Sequence, residues 1–341
     1  MKDYIIAVGS ADVGLTPPMP FIGKRFDGSK FTVLSRLWLE VALVRCGFDV
    51  LDKKAMLSDA LSDFVLQANR AGADCIVVTS YSAFGSGKSF NDFCGATVKY
   101  PYGRQSKKSR TVAEDVCAKI NGIKKCTTAQ SDIALNGAAC PAVVIDGGYL
   151  TEFDEAKAVY DPDYAHTFAE HAAMGICEYF GMPYLPPSPE TVLPDLVHAS
   201  TGKRGKKIKL LQAALCAVGY QTDVDGVYGK NTELAVKEFA LNNELKCDCV
   251  NEELLDCLLF NRCKSMPMGA KSVGVLYMQR KLISKLYPCS DSGILDEQTS
   301  TALAEFLSET DNDIPLLKDG GAPKSAIKLL SPIGGGRPRL F

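Results

Sequence analysis

Histidine is nearly absent from this chain of 341 residues: there are three, His166, His171 and His198, and none lies ahead of residue 166. The first half of the molecule therefore has no imidazole to offer for acid–base chemistry or metal binding. An excess of one charge is missing too. Lys and Arg total 38 against 40 Asp and Glu, a formal net charge of −2, so nothing draws the whole chain toward nucleic acid or an anionic membrane. Long apolar runs are also lacking. The opening MKDYIIAVGS has only Tyr4 to Val8 before a glycine, and no later stretch nears the roughly 20 apolar residues of a membrane helix. The expectation is a cytoplasmic protein, or one assembled into a particle and released by lysis. No G-x-S-x-G elbow or G-x-G-x-x-G fingerprint stands in its expected context. FGSGKS (Phe84 to Ser89) follows a strand pattern, but Ser82 occupies the place of a phosphate loop's first glycine and FNDFCGATVKY leads to a strand, so nucleotide binding is rejected.

With 46% hydrophobic and 23% charged residues the chain can bury sizeable cores, and its length suggests two or three domains. Cysteine, by contrast, is abundant at 13. Cys75, Cys117 and Cys177 sit where a small apolar residue would fit, which suits buried, reduced thiols. Cys247, Cys249, Cys257 and Cys263 lack the paired C-x2-C knuckles of a zinc site and are read as helix packing.

Residues 1–181 alternate strand and helix signals. Tyr4–Val8, FDVLD, CIVVTS, GATVKYP and PAVVIDGG read as strands. Phe31–Arg45 (amphipathic, ended by Gly47), Leu57–Arg70, Ser109–Ile120 and Asp163–Phe180 read as helices. The fold class predicted is α/β: a mostly parallel, twisted sheet covered by helices, followed by small all-α modules. MPYLPPSPETVLP, with five prolines, and the basic KRGKKIK form a linker over 182–206. Beyond it an offset of 67 residues superposes Gln212 on Gln279, Tyr220 on Tyr287, Gly226 on Gly293, Thr232 on Thr299 and Phe239 on Phe306 without a gap. This gives one helical module at 207–262 and a second at 270–310. The stretch 311–341 is rich in Gly and Pro, shows no periodicity, and should be mobile unless a partner holds it.

Two constellations invite chemistry. Asp146 ends the strand pattern PAVVID, where it would serve as a general base opposite a nucleophile or metal-bound water, or else tie down the Gly147-Gly148 turn. His166 and Glu170 are i and i+4 on one helix, while His171 points elsewhere; the plain reading is a surface histidine beside a glutamate.

Residues 1 to about 185 resemble the zinc-dependent N-acetylmuramoyl-L-alanine amidases, which cleave the amide joining glycan to stem peptide in peptidoglycan. The likeness is carried by YIIAVGSADVG, QANRAGADCIVVTSYSAF and, most specifically, CPAVVIDGGYLTEFDEAKAVYDPDYAHTFAEHAAMGICEYFG. The resemblance implies zinc held by two histidines and a glutamate, with a glutamate base on the late strand. Carried over, these positions fall at or near Ser10, at Gly28 or Ser29, at Tyr81 and at Asp146, and none keeps the family's residue. The resemblance thus implies an amidase fold without zinc chemistry, a pseudoenzyme with neither metal nor cofactor. IKLLQAALCAVGYQTDVDGVYGKNTELAVKEFALNNEL (Ile208–Leu245) resembles the three-helix peptidoglycan-binding modules often attached to such amidases. In the second copy Asp225 becomes Ser292 and Gly229 becomes Asp296, so that copy reads as degenerate.

Three functions are consistent with these features. The first is a catalytically silent scaffolding protein of a phage-derived or contractile particle, self-associating or meeting particle subunits through the tail residues Arg337, Arg339 and Phe341. The second is a wall-binding protein that recognises peptidoglycan through Tyr220, Asp225, Tyr228 and Asn231. The third is a hydrolase with a relocated site, using Asp146 with His166 or Glu170.

Overall fold

The computed structural model describes residues 3–11, 16–19, 25, 27–51, 61–85, 87–131, 135–187, 196–243, 245–246, 249–260, 265–310 and 314–330. Cys247, Cys263, residues 188–195 of the proline-rich stretch and the C-terminal Arg337, Arg339 and Phe341 lie outside them.

Six strands form one sheet: β1 (Ile5–Ser10), β2 (Asp49–Val50), β3 (Cys75–Ser82), β4 (Ala96–Tyr100), β5 (Cys126–Gln130) and β6 (Ala142–Tyr149), in the order β2-β1-β3-β6-β4-β5. All neighbours pair parallel except β4 with β6, so the sheet is mostly parallel and mixed. Side chains of alternate residues take opposite faces. Ile6, Val8, Cys75, Val77, Val143 and Ile145 face a core shared with helices α1 (Gly28–Arg45), α3 (Ser106–Ile120) and α5 (Pro162–Phe180). Ala7, Ile76, Val78, Ala142 and Val144 face α2 (Leu61–Arg70) with Phe64, Val65 and Ala68.

Helix α1 departs from its predicted amphipathic character, since Arg36, Glu40 and Arg45 are buried along with its leucines and valines. The reason is a third layer. Helix α6 (Lys206–Ala217) packs along α1 on the side away from the sheet, so α1 is covered on both sides and needs no polar face. The charges it buries are paired: Arg36 with Glu40 one turn on, and Arg45 with Glu170.

Helix α4 (Phe153–Tyr160) precedes α5, and Asp161 closes one and opens the other, its side chain accepting from Asp163 N. Beyond α6 come α7 (Lys230–Asn242) and α8 (Glu252–Phe260), then a second trio α9 (Val273–Ser284), α10 (Glu297–Glu309) and α11 (Lys324–Leu330). Helix α11 lies in the stretch read as an aperiodic tail: Ala326, Ile327 and Leu330 are buried. Part of that stretch is thus core.

The repeat has a physical basis. The Gln212 amide donates to Asp225 Oδ1 (3.0 Å), Val227 O (3.0 Å) and Thr232 Oγ1 (2.9 Å) and accepts from Gly226 N at 2.8 Å. Gln279 does the same with Ser290 Oγ (3.2 Å), Ile294 O (2.9 Å), Thr299 Oγ1 (2.8 Å) and Gly293 N (2.8 Å). Gly226 (φ 74°) and Gly293 (φ 73°) make a left-handed turn that carries the amide inward to the glutamine. The residues that superpose at one offset are those that wire this network.

Both trios are fastened to the sheet domain. Lys206 pairs with Asp3 (2.7 Å), Lys209 with Asp49 (3.2 Å), and the fully buried Lys281 with Asp163 (2.5 Å). Tyr160 donates to Asp291 (2.9 Å), and Arg280 stacks over Phe31 and Tyr160. The basic run is therefore a docking element. The described part of the proline-rich stretch is tied down as well, with Leu185 O accepting from Arg45 Nε at 2.8 Å.

Candidate functional site

The C-terminal ends of β1, β3 and β6 are where the sequence-derived positions meet. Ser10, half-buried, ends β1 and stands in register with Thr79. Gly28 and Ser29 open α1, and the nearby carboxylate, Asp27, is engaged as its N-cap, accepting from Ser29 N at 3.0 Å. Thr32 on the first turn donates to Ala11 O (2.9 Å), and Thr79 donates to Thr32 O (2.9 Å), which seats the helix start over the strand ends.

Tyr81 is a core residue. Its ring is 3% exposed, lies 6.4 Å from the Phe168 ring, and fills the space beside Gly147, where a Cβ would come within 2.7 Å of it. Its hydroxyl shares a 2.9 Å hydrogen bond with Ser35, and burial pushes its pKa above the ordinary tyrosine value.

Asp146 points the other way. Alternation along β6 puts it with Ala142 and Val144 on the α2 side, whereas Tyr81 follows Cys75 and Val77 onto the α1 side. There Asp146, 3% exposed, accepts a hydrogen bond from Ser82 and pairs with Lys99 Nζ at 2.9 Å. Its link to the two glycines that follow is a long bond of 3.4 Å from Gly148 N. Gly147 and Gly148 do not form the expected turn: β6 runs through them to Tyr149, with a register shift against β3. They are held by Glu155, whose carboxylate accepts from Gly95 N and Tyr149 N and pairs with Lys124, and by Tyr164, which donates to Gly147 O at 2.6 Å. Lys99 and Glu155 were not singled out in the sequence. Lys99 comes from a strand running antiparallel to β6, and no local spacing announces that pairing.

His166 and Glu170 do share a face, but an interior one. His166 is 8% exposed, meets Trp38 edge-on at 4.7 Å, and has Nε2 3.6 Å from Glu170 Oε1. Glu170 is held by Arg45 and by the Tyr184 hydroxyl (2.6 Å). Burial lowers the His166 pKa, against the opposing pull of Glu170 and Asp163. This pair lies behind α1, in a different part of the molecule from the strand end where Asp146 meets Lys99. His171 bonds Thr167 O through Nδ1 (2.9 Å), and His198 has a left-handed backbone (φ 64°) with its N donating to Val250 O. Among the described residues, no group of three or more His, Cys, Asp or Glu side chains is arranged to hold a metal ion. Among the described residues the FGSGKS loop continues to β4 without an intervening helix.

In the first helical trio Tyr220 and Tyr228 are 4% and 3% exposed. Tyr220 packs edge-on against Phe239, accepts from Asn242 Nδ2 at 3.1 Å, and lines a cavity of about 50 Å³ between the trios and the sheet domain, with Trp38, His166, Phe239 and Tyr277. Asp225 braces its own turn, accepting from Val227 N (2.8 Å) and Gln212. Asn231 is the exposed member of the four, 3.3 Å from Asp223. In the second trio Ser292 takes the bracing role of Asp225 through Ile294 N (3.1 Å), and Asp296 caps α10 by accepting from Thr299 N (2.8 Å), where Gly229 offers no side-chain cap. The two replacements keep the turn and improve the cap.

Residues 204–249 match the PG_binding_1 family, described as a peptidoglycan binding domain. No curated protein matches the chain. About half of the chain is similar in structure to N-acetylmuramoyl-L-alanine amidases. With AmiC2 of Nostoc punctiforme identity is 18%, covering 52% of this chain and 97% of that one, TM-score 0.43. With the catalytic domain of CwlV from Bacillus (Paenibacillus) polymyxa var. colistinus the values are 19%, 53%, 99% and 0.43. With the amidase from Clostridium difficile 630 they are 17%, 53%, 98% and 0.45.

Proposed function

We propose that this protein works at the bacterial cell wall as a peptidoglycan-binding protein that does not cleave its target. The observation that carries the binding half is the match of residues 204–249 to a peptidoglycan binding domain, centred on the Gln212 network. Since Tyr220, Tyr228 and Asp225 are spent on packing and bracing, glycan contact falls to the exposed side of that trio, with Asn231 at its edge.

The silent half rests on the donors at the strand ends. Zinc hydrolases need three nitrogen or oxygen ligands and an open position for water. Here Ser10 and the buried, already bonded hydroxyl of Tyr81 stand on one side of the sheet, and the Asp146 carboxylate is turned to the other and neutralised by Lys99. That donor set does not fit zinc, and no hydrolytic step is routed through it. The relocated hydrolase is disfavoured by the same geometry, because Asp146 and His166 occupy different sites.

Sedimentation with insoluble sacculi, beside a known binder, tests the binding half. The protein should pellet, and a protein that stays soluble ends the proposal. Metal analysis after dialysis against zinc should find well under one equivalent at the strand ends.

The rigid fastening of both trios, through Lys281, Lys206 and Lys209, suits a scaffolding role in a phage-derived or contractile particle equally well. Fractionation of the native source on a density gradient decides this, since a particle subunit migrates with the particle.

A further inference from the structure

The loop from β3 to β4 holds two large aromatic rings in water. Phe84 and Phe93 are 46% and 50% exposed, yet their rings stack almost parallel, centroids 3.8 Å apart at 13°. Two benzyl groups free to move would fold against the core, and the backbone prevents it. Phe84 N donates to Thr151 Oγ1 (3.0 Å), Asn91 N to Thr151 O (2.7 Å), and Phe93 N to Asn91 Oδ1 (3.0 Å), while Phe90 anchors edge-on against Phe153. The result is an apolar platform of two rings stacked face to face, fixed from beneath, with its remaining surface in water. Tyr149, half-exposed with its ring 6.2 Å from Phe93, extends it toward β6.

Polar groups adjoin it. Ser82 stands in register with Tyr149, and its hydroxyl bonds Asp146. Lys99 Nζ lies 2.9 Å from Asp146 and 3.5 Å from Ser82 Oγ, with its side chain 31% exposed. An ammonium has three donors, and Asp146 and Ser82 engage two, leaving one for a ligand. The buried carboxylate holds that donor in place, as preorganised sites require.

We propose that Phe84, Phe93 and Tyr149, with Lys99 as donor, form a saccharide subsite for the amino-sugar chain of peptidoglycan. A pyranose ring has one face of C–H groups and a rim of hydroxyl and acetamido oxygens. It needs an exposed aromatic face beside a fixed hydrogen-bond donor, which the outer side of the stacked pair, the tilted Tyr149 ring and Lys99 supply. A single lysine already paired with Asp146, in a chain of net charge −2, does not favour a polyphosphate, and a partner protein's apolar core would leave the third ammonium donor buried without an acceptor. The inference rests on the cell-wall reading but assigns a site separate from residues 204–249.

The test is saturation-transfer NMR on the full chain with a β-1,4-linked N-acetylglucosamine tetramer. Irradiating aromatic protons should transfer magnetisation to the C–H protons of one sugar face. Phe84→Ala and Phe93→Ala should each weaken binding at least tenfold and Lys99→Met severalfold, while Leu66→Ala, on exposed surface of α2, leaves it unchanged. No transfer in the wild type, or transfer untouched by Phe93→Ala, overturns the subsite. So does concentration-dependent self-association that Phe93→Ala abolishes, which would make the platform a contact between copies. Sacculus pelleting runs in parallel: pelleting without tetramer binding removes the subsite and leaves the cell-wall reading intact, whereas tetramer binding without pelleting does the reverse.

Discussion

Gln212 and Gln279 each satisfy one turn, one strand-like carbonyl and one buried threonine in the first turn of a helix with a single buried amide. Replacing Gln212 by Leu keeps the volume but orphans the Gly226 amide and the Val227 carbonyl, at about 1–3 kcal/mol for each buried group left unpaired. We expect Gln212→Leu to lower the melting temperature clearly in calorimetry, and an unchanged transition would show that water replaces the amide. The pair was visible in the sequence as a repeat, though its bonding was not. Asp146 shows the opposite limit: its place on a buried late strand is readable, but the strand runs on past it to Tyr149, and its partner Lys99 depends on a β4–β6 pairing that runs against the parallel rule. His166 is interior rather than on the surface because Trp38 of α1 and residues of the helical trios such as Leu259 and Tyr277 lie beside it, and nothing local signals that cover. Its folded pKa is lowered by burial, so the unfolded chain binds the extra proton first and stability falls as pH drops below the unfolded value of about 6.5. The groups facing it are Glu170 and Asp163, which favour the proton, and Arg45 and Lys281, which oppose it. His166→Gln should flatten the stability curve between about pH 6.5 and 5 in urea titrations, relative to wild type. A slope identical to wild type would assign the pH dependence to other groups.

At the scale of elements, the crossing of α3 and α5 depends on Gly175. A Cβ there would lie 2.3 Å from Val116 Cα, a backbone contact that no rotamer change relieves. Gly175→Ala should force the helices apart and cost about 3 kcal/mol or more, read as a lower urea midpoint with an unchanged slope. Full stability in that variant would mean that the helices pack less closely than the structure has them. The long buried strands and the helices with clear ends were legible: β3, β6, α3 and α5 lie where periodicity put them, within a few residues. Strand β5 was not read, since three of its five residues are exposed and CTTAQ has no apolar alternation. Helix α4 ends where α5 begins, and one aspartate, Asp161, serves as the boundary of the two. Helix α11, seven residues long, is too short to impose a period on a Gly- and Pro-rich stretch.

The whole molecule is one body built from three parts, and the ion pair of Lys281 with Asp163 is its most buried fastener. Substituting Lys281 by Met leaves the Asp163 carboxylate without its partner beside Asp161, a loss of about 3–5 kcal/mol for a broken buried pair. Hydrogen exchange should then show α9 to α11 opening well before the sheet, and protection lost evenly across the chain would argue that the trios have no independent stability. The fastening explains why Leu185 and Lys206, from the stretch that composition marks as a linker, are bonded to the sheet domain, which composition alone does not reveal. The central claim, binding without cleavage, is tested most directly by incubating the protein with radiolabelled sacculi in zinc-containing buffer and measuring protein in the pellet and label in the supernatant together. Protein should be found in the pellet, with no label released above buffer. Label released in proportion to protein, or protein left wholly in the supernatant, would contradict it.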